Sequence, residues 1–155
     1  MGLTLQLASP DSLPQLITLV RTYHRFEDIH MTEQEREQAL SNLLAAPSLG
    51  GIWLILKDAQ VAGYIALTYG YSLEFGGRDA FIDEFYICPD FRGEGSGQTT
   101  LGLIQQEAAR LGIRALHLEV ARTNLRAQHL YARANFQPRN KYMLMSVRLG
   151  SPALE

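Results

Sequence analysis

Apolar and polar residues follow two different periods along the first part of the chain. Positions 3–7 alternate at every second residue, which predicts a short first strand. A helix follows, because Ser9-Pro10 combines a hydroxyl cap with a proline at the first helical position. Thr32 and Glu35 have capping-box spacing, which predicts a second helix. Apolar residues recur at helical spacing in both helices, at Leu13, Leu16, Ile17, Val20, Leu40, Leu43 and Leu44.

The rest of the chain predicts strands and helices in alternation. Two apolar runs flank Asp58-Ala59, which predicts an antiparallel hairpin. A longer aromatic connection at 69–79 leads to the next strand, and Gly112 ends the helix after it. The predicted elements are strands at 52–57, 61–69, 80–88 and 115–120, helices at 97–111 and 124–134, and a final strand within 141–149.

These elements predict one mixed α/β domain over residues 1–155. Its centre is a twisted mixed sheet of six to seven strands, with four helices distributed over both faces. The length of 155 residues fits a single domain. Hydrophobic residues at 46% and charged residues at 19% are ordinary globular values, which exclude a disordered or fibrous chain.

Charge and cysteine content exclude several classes of protein. The 14 basic and 16 acidic side chains give a net charge of −2, so no footprint for nucleic acid or an anionic membrane is present. The longest apolar run, 52–56, is far shorter than the roughly 20 residues of a membrane helix. Cys88 is the only cysteine and the four histidines lack ligand spacing, so we expect no metal. A cytoplasmic location is the expectation.

A glycine-rich loop carries the chemistry of the sequence. Gly93, Gly95 and Gly97 lie between a predicted strand and a predicted helix, and Arg92 precedes them. Glycines let a backbone approach a ligand, and a helix start presents free N–H groups and a positive dipole end. The pattern therefore predicts an anion site, most often for phosphate. A flexible loop without a ligand is the alternative.

Two common phosphate motifs fit the loop poorly. A Walker loop needs Gly-Lys-Ser/Thr, which the sequence lacks. A dinucleotide fingerprint from Gly93 and Gly95 would place its last glycine where Gln98 stands. Glu119, about 20 residues further on a predicted strand, keeps that fingerprint open, although the preceding hairpin suits a dinucleotide fold badly.

The residues around this loop resemble the GNAT superfamily of N-acetyltransferases. Arg92-x-x-Gly95-x-Gly97 is similar to that family's Gln/Arg-x-x-Gly-x-Gly/Ala loop, which binds the pyrophosphate of acetyl-CoA. The likeness covers residues 3–149, and the departures are Ser96, where an apolar residue is common, and Asn135, where glycine is usual. A second motif agrees, at Asn124, Ala127, Leu130-Tyr131 and Phe136.

The resemblance implies acetyl-CoA as cosubstrate and implies where it binds. In the family two neighbouring strands splay apart, and the pantetheine arm pairs with backbone at the positions of Tyr86 and Ile87. The pyrophosphate rests on N–H groups of the glycine loop. The implied cofactor-binding residues are Tyr86, Ile87, Arg92, Gly93, Glu94, Gly95, Ser96, Gly97, Gln98, Asn124, Ala127 and Tyr131.

Transfer of an acetyl group to an amine needs a base for the amine and an acid for the thiolate. The resemblance implies that Glu84 is the base and that Tyr131 is the acid. Strand alternation predicts that Glu84 shares a face with Ile82 and Tyr86, while Asp83, the second choice, points to the opposite face. A solvated carboxylate, or one that only binds a cationic amine, is the alternative for Glu84.

The acceptor is left open by the sequence. Polyamines, aminoglycosides, amino acids and protein amines all suit an acidic rim, so the acceptor is a small-molecule or protein amine. Homodimers are common among the proteins it resembles. A non-catalytic acyl-CoA-binding module of the same fold is the rival function. The candidate substrate-binding residues are Tyr23, Phe26, Glu27, Tyr71, Glu74 and Glu84.

Overall fold

The computed structural model describes residues 2–150. Within them one five-stranded sheet has the order β1-β2-β3-β4-β5, and only β4 and β5 are parallel. The mixed α/β class with four α-helices is confirmed, with fewer strands than expected. The elements are β1 (Leu3–Leu7), α1 (Leu13–Phe26), α2 (Glu33–Ala45), β2 (Gly50–Lys57), β3 (Gln60–Ser72), β4 (Gly77–Ile87), α3 (Ser96–Arg110), β5 (Ala115–His117) and α4 (Leu125–Arg133), with short 3₁₀ turns at Pro10–Ser12 and Pro89–Phe91.

Local signals in the sequence set several of these boundaries. The capping box is formed, since Glu35 N–H donates to Thr32 Oγ1 at 3.1 Å and Thr32 N–H donates to Glu35 Oε1 at 3.2 Å. Asp58 and Ala59 have φ of 50° and 68°, the left-handed values that a two-residue hairpin turn requires. The predicted hairpin of β2 and β3 is therefore confirmed.

Two hydrophobic layers enclose the sheet. On one face α3 packs on the strands through Leu101 and Ile104, which contact a cluster that includes Ile65. On the other face α1 and α2 pack through Leu16 and Leu40 onto the opposite sides of the same strands. Helices therefore cover both faces, as the alternating pattern predicts. No helix within residues 2–150 is long and apolar enough to cross a membrane.

Three sequence expectations are wrong. The aromatic connection at 69–79 is a continuation of the hairpin, since β3 runs to Ser72 and β4 begins at Gly77. The strand expected at 115–120 keeps a ladder only over Ala115–His117. The segment 141–149 joins no ladder within residues 2–150. Alternation shows which residues avoid water, but a strand also needs a partner within reach.

Candidate active site

The loop between β4 and α3 has an unusual backbone. Gly93, Glu94 and Gly95 have φ of 86°, 54° and 77°, so three successive residues are left-handed before α3 begins at Ser96. A Cβ added at Gly93 or Gly95 would meet no atom within 4 Å. The loop therefore faces open space at the positive end of a helix, which is the environment that an anion such as pyrophosphate prefers.

Gly97 has a different role from the other two glycines. A Cβ there would lie 3.0 Å from Cδ2 of Leu130, a residue of α4. The missing side chain thus lets α3 and α4 approach closely. Sequence reasoning assigned all three glycines to the approach of a ligand, and for Gly97 the packing of two helices is a sufficient reason.

Arg92 fastens the start of the loop to the end of β4. Its Nε donates to the carbonyl oxygen of Ile87 at 2.8 Å. Its guanidinium lies 5.6 Å from the ring centres of both Tyr86 and Phe26, within the range of cation–π attraction. Glu94 pairs with Lys57 at 3.0 Å, which ties the loop to the end of β2.

The parallel strands β4 and β5 separate just before this loop. Their ladder covers three residue pairs, from Asp79–Ala115 to Phe81–His117. From 82 to 87, β4 has no strand partner on that side within the described part of the chain. The separation that the resemblance implies is therefore present, and the backbone of Tyr86 and Ile87 lies in it.

A β-bulge places the acidic residues of β4. Ala66 pairs with Glu84 and Leu67 pairs with Ile82, so Asp83 is an extra residue in the ladder. The sequence predicted that Glu84, Ile82 and Tyr86 share one face of β4. This is wrong for Ile82, which packs in the α3 layer while Tyr86 packs in the α1–α2 layer. The prediction that Asp83 points to the face opposite Glu84 is wrong as well, since both residues line one cavity.

Both oxygens of Glu84 accept hydrogen bonds. Tyr64 Oη donates to Oε1 at 2.7 Å, and His24 Nε2 lies 2.7 Å from Oε2. Burial, followed by the charge of Glu84, raises the pKa of Tyr64, which keeps its hydroxyl proton in place to be donated. The Glu84 side chain is 20% exposed, so its remaining lone pairs can face a substrate or a water.

A chain of polar side chains, buried at His24 and Arg36, stands behind Glu84. Arg36 Nε donates to His24 Nδ1 at 3.1 Å, which assigns the ring proton to Nε2 and makes His24 a donor to Glu84. Arg36 also donates to Glu33 at 2.5 Å, and Glu33 in turn receives two hydrogen bonds from Arg21. The Arg21 hydrogen bond holds the pKa of Glu33 below its ordinary value.

Sequence reasoning missed His24, Arg36 and Tyr64, although a signal for two of them exists. His24 lies four residues after Val20 and Arg36 lies four residues before Leu40, so both occupy the apolar stripe of a helix. The structure buries both, with exposed fractions of 4% and 5%. A polar residue within such a stripe predicts a buried polar partner, because an unpaired one would be costly.

A cavity of about 260 Å³ opens beside Glu84, between α2 and the sheet. Asp83 and Glu84 form its polar end. Asp83 is an exposed residue, but protein atoms around its carboxyl partly exclude water from it. This desolvation, followed by the charge of Glu84, raises the pKa of Asp83. The apolar walls come from Val20, Leu40, Leu43, Ile52 and Ala66.

The sequence profile described as the acetyltransferase (GNAT) family matches residues 13–136. The chain belongs to this family. An uncharacterized N-acetyltransferase of Archaeoglobus fulgidus is 27% identical over 127 residues, which are 81% of this chain and 86% of that protein. The anion loop and the separated strands described above therefore belong to a member of this family.

Two solved structures extend the comparison. An integron cassette protein, HFX_CASS3, from the mobile metagenome of Cole Harbour Salt Marsh is 32% identical, with a TM-score of 0.82 and coverage of 96% of this chain and 92% of that one. A predicted acetyltransferase of Clostridium acetobutylicum, solved with acetyl-CoA, has a TM-score of 0.75 at 18% identity, with coverage of 94% and 96%. The second likeness shows the fold alone.

Tyr131 of this acetyltransferase lies on α4, next to the end of α1. Its ring meets Phe136 edge-on at 6.0 Å and packs against the α3 layer. Burial, followed by the charge of Glu27, raises the pKa of Tyr131. Tyr23 lies within electrostatic range of both Tyr131 and Glu84, and its pKa is raised chiefly by burial. Of the expected candidates, Tyr23 therefore lies near both Glu84 and Tyr131, and Glu27 lies near Tyr131.

The remaining expected residues fall into two groups. Asn124 caps α4, since its Oδ1 accepts from Ala127 N–H at 3.1 Å, which ties the second motif to the helix start. Tyr71 and Glu74 lie toward the tip of the β3–β4 hairpin, where Glu74 pairs with Arg139 at 2.6 Å. Tyr71 is five residues beyond Ala66, the partner of Glu84, and a strand advances about 16 Å over that number of residues. The structure does not bring those two to Glu84.

Proposed function

We propose that this acetyltransferase moves the acetyl group of acetyl-CoA directly to a primary amine of a small molecule or protein. One observation carries the proposal: the bulge at Asp83 turns Glu84 into a cavity at the place where β4 and β5 separate. An amine acceptor and an acetyl donor entering from opposite sides of β4 would meet beside this carboxylate. The acetyl-CoA in the Clostridium acetobutylicum structure supports the choice of donor.

The residues of the chain fit acetyl-CoA on two grounds. The left-handed Gly93 and Gly95 carry no side chain and border open space in front of the helix start, which leaves room for a phosphate. The separated backbone of Tyr86 and Ile87 can pair with the amide groups of a pantetheine arm. Arg92, Ser96, Gly97 and Gln98 complete the loop, and Asn124, Ala127 and Tyr131 flank the arm from α4.

Acetyl-CoA, when bound, supplies a thioester that an uncharged amine can attack. Most primary amines are protonated at neutral pH, so Glu84 takes a proton from the acceptor ammonium, directly or through a water. The amine nitrogen forms the new C–N bond as the C–S bond breaks, and the nitrogen then loses its second proton to solvent. Tyr131, whose raised pKa keeps its proton at neutral pH, gives that proton to the departing sulfur and takes one back from solvent.

The test compares two glycines that have the same left-handed backbone conformation. Gly95 and Gly76 have φ of 77° and 76°, and a Cβ at either meets nothing within 4 Å. Gly95→Asp places bulk and a negative charge where the pyrophosphate would bind, so calorimetry should show loss of acetyl-CoA binding. Gly76→Asp, on the β3–β4 hairpin, should bind normally.

Thiol release with a panel of amines then separates an enzyme from a binding module. Turnover of acetyl-CoA with an amine supports the transferase. Tight binding without turnover for every amine would favour the non-catalytic module. Equal acetyl-CoA affinity for the two aspartate variants would overturn the assignment of the loop.

A further inference from the structure

The polar and apolar residues that line the cavity beside Glu84 bear on which amines can bind there. Its end is acidic at Asp83 and Glu84, whereas its length is lined by α2 and strand side chains such as Leu40, Leu43 and Ile52. A cavity of about 260 Å³ lies below the usual range for drug-sized ligands, about 300–1,000 Å³. It therefore has room for one compact group behind the amine.

The only guanidinium among the lining residues disfavours a second positive charge. Arg36 lines the cavity and is buried to 5% exposure, held by Glu33 and His24. An acceptor with several ammonium groups would place one of them among apolar side chains near Arg36. Burying a charge without a partner is costly, and like charges repel.

Resting on the proposed function, we infer that the acceptor is a monoamine whose primary amino group carries a compact apolar group. The ammonium lies against Asp83 and Glu84, and the apolar group fills the space between α2 and β2. Polyamines and aminoglycosides, which the sequence leaves open, are disfavoured by this cavity.

The experiment measures kcat/KM for 2-phenylethylamine, hexylamine, spermidine and kanamycin with the full chain. The two apolar amines should exceed the two polycations by about 10-fold or more, the discrimination that a fitted apolar pocket supplies. Ala39→Phe would fill the cavity from an exposed position of α2, and Ala45→Phe is the matched control outside it. Ala39→Phe should raise KM for 2-phenylethylamine while acetyl-CoA affinity stays constant.

A preference for spermidine or kanamycin would overturn the inference and leave the transferase standing. Equal KM values for the two phenylalanine variants would also overturn it. Absence of turnover with 2-phenylethylamine and hexylamine, despite acetyl-CoA binding, would overturn the inference, whereas the transferase is decided by the wider panel of amines.

Discussion

Nε2 of His24 lies 2.7 Å from Oε2 of Glu84, and this contact joins α1 to the bulge of β4. His24 is 4% exposed, so the position of the carboxylate is set by a side chain inside the protein rather than by solvent. Because Arg36 occupies the other ring nitrogen, His24 can only donate toward Glu84. The proposed base on β4 is therefore oriented from three other elements, by His24 of α1, by Arg36 of α2 acting through His24, and by Tyr64 of β3.

Glu84→Gln should lower kcat by about 10²–10⁴-fold, the usual contribution of a general base. The acidic limb of the pH–rate profile should disappear, and activity should recover at higher pH as the free amine becomes abundant. Glu107→Gln, on α3 and paired with Arg110, is the control. An unchanged kcat and acidic limb would sink the base assignment and favour Asp83 or a chain of waters.

Loss of an anchor would give a different pattern for the same variant. If Glu84 only holds a cationic amine, Glu84→Gln raises KM for the amine and keeps kcat with its pH dependence. The two roles are thus separated by measuring both constants over a range of pH.

Tyr131→Phe should lower kcat by roughly 10–10⁴-fold if the hydroxyl protonates the leaving sulfur. Acetyl-CoA affinity should change little, because the ring still packs against Phe136. Tyr71→Phe, 70% exposed on the hairpin, is the matched control and should leave both constants unchanged. With chemistry shown to be rate-limiting, a normal kcat would reduce Tyr131 to a packing residue.

His24→Ala should lower both stability and kcat. Removing the ring leaves Arg36 Nε without its acceptor in the interior, a loss of about 1–3 kcal/mol in the free energy of unfolding. His24→Gln restores an N–H donor near Glu84, so we expect it to recover more of kcat than His24→Ala does. Equal kcat for the two variants would show that His24 is structural and does not orient the carboxylate.

Asp83→Asn should stabilise the fold near neutral pH, by less than about 1 kcal/mol since solvent screens an exposed carboxyl. The folded protein raises the pKa of Asp83 above its ordinary 3.8, so wild-type stability falls as the pH rises from that value through the folded pKa. The advantage of the variant therefore grows as the pH rises from 4 to 7. Urea unfolding at both pH values measures it, and a gap that is equal at both would contradict the prediction. Asp90→Asn is the control.

The local signals of the sequence were sufficient for most of the fold. The capping box of Thr32 and Glu35 and the turn at Asp58-Ala59 act between near neighbours, so they could be recognised without tertiary information. The bulge at Asp83 could not, because it exists only as a mismatch between β3 and β4. Simple alternation therefore put Ile82 on the wrong face.

The same distinction applies to the candidate site. The glycine loop is a contiguous motif and could be recognised from the sequence. The packing role of Gly97 could not, because its neighbour Leu130 is far along the chain. His24, Arg36 and Tyr64 come together from three elements. Their types gave no motif, and only the break that a histidine or arginine makes in an apolar stripe could have pointed to them.

The bulge at Asp83 shifts the alternation of side chains along β4 by one residue. Before it, even-numbered residues such as Ala80 and Ile82 face α3, and after it odd-numbered residues such as Phe85 and Ile87 do. If one residue were deleted here, one side of the bulge would have to reverse its alternation. Either Glu84 would leave its cavity or core side chains such as Ile82 would face the wrong helices. An insertion or deletion within β4 would therefore disturb the core or the site. Substitutions on α1 and α2 change the walls of the cavity without changing which way the side chains of β4 face.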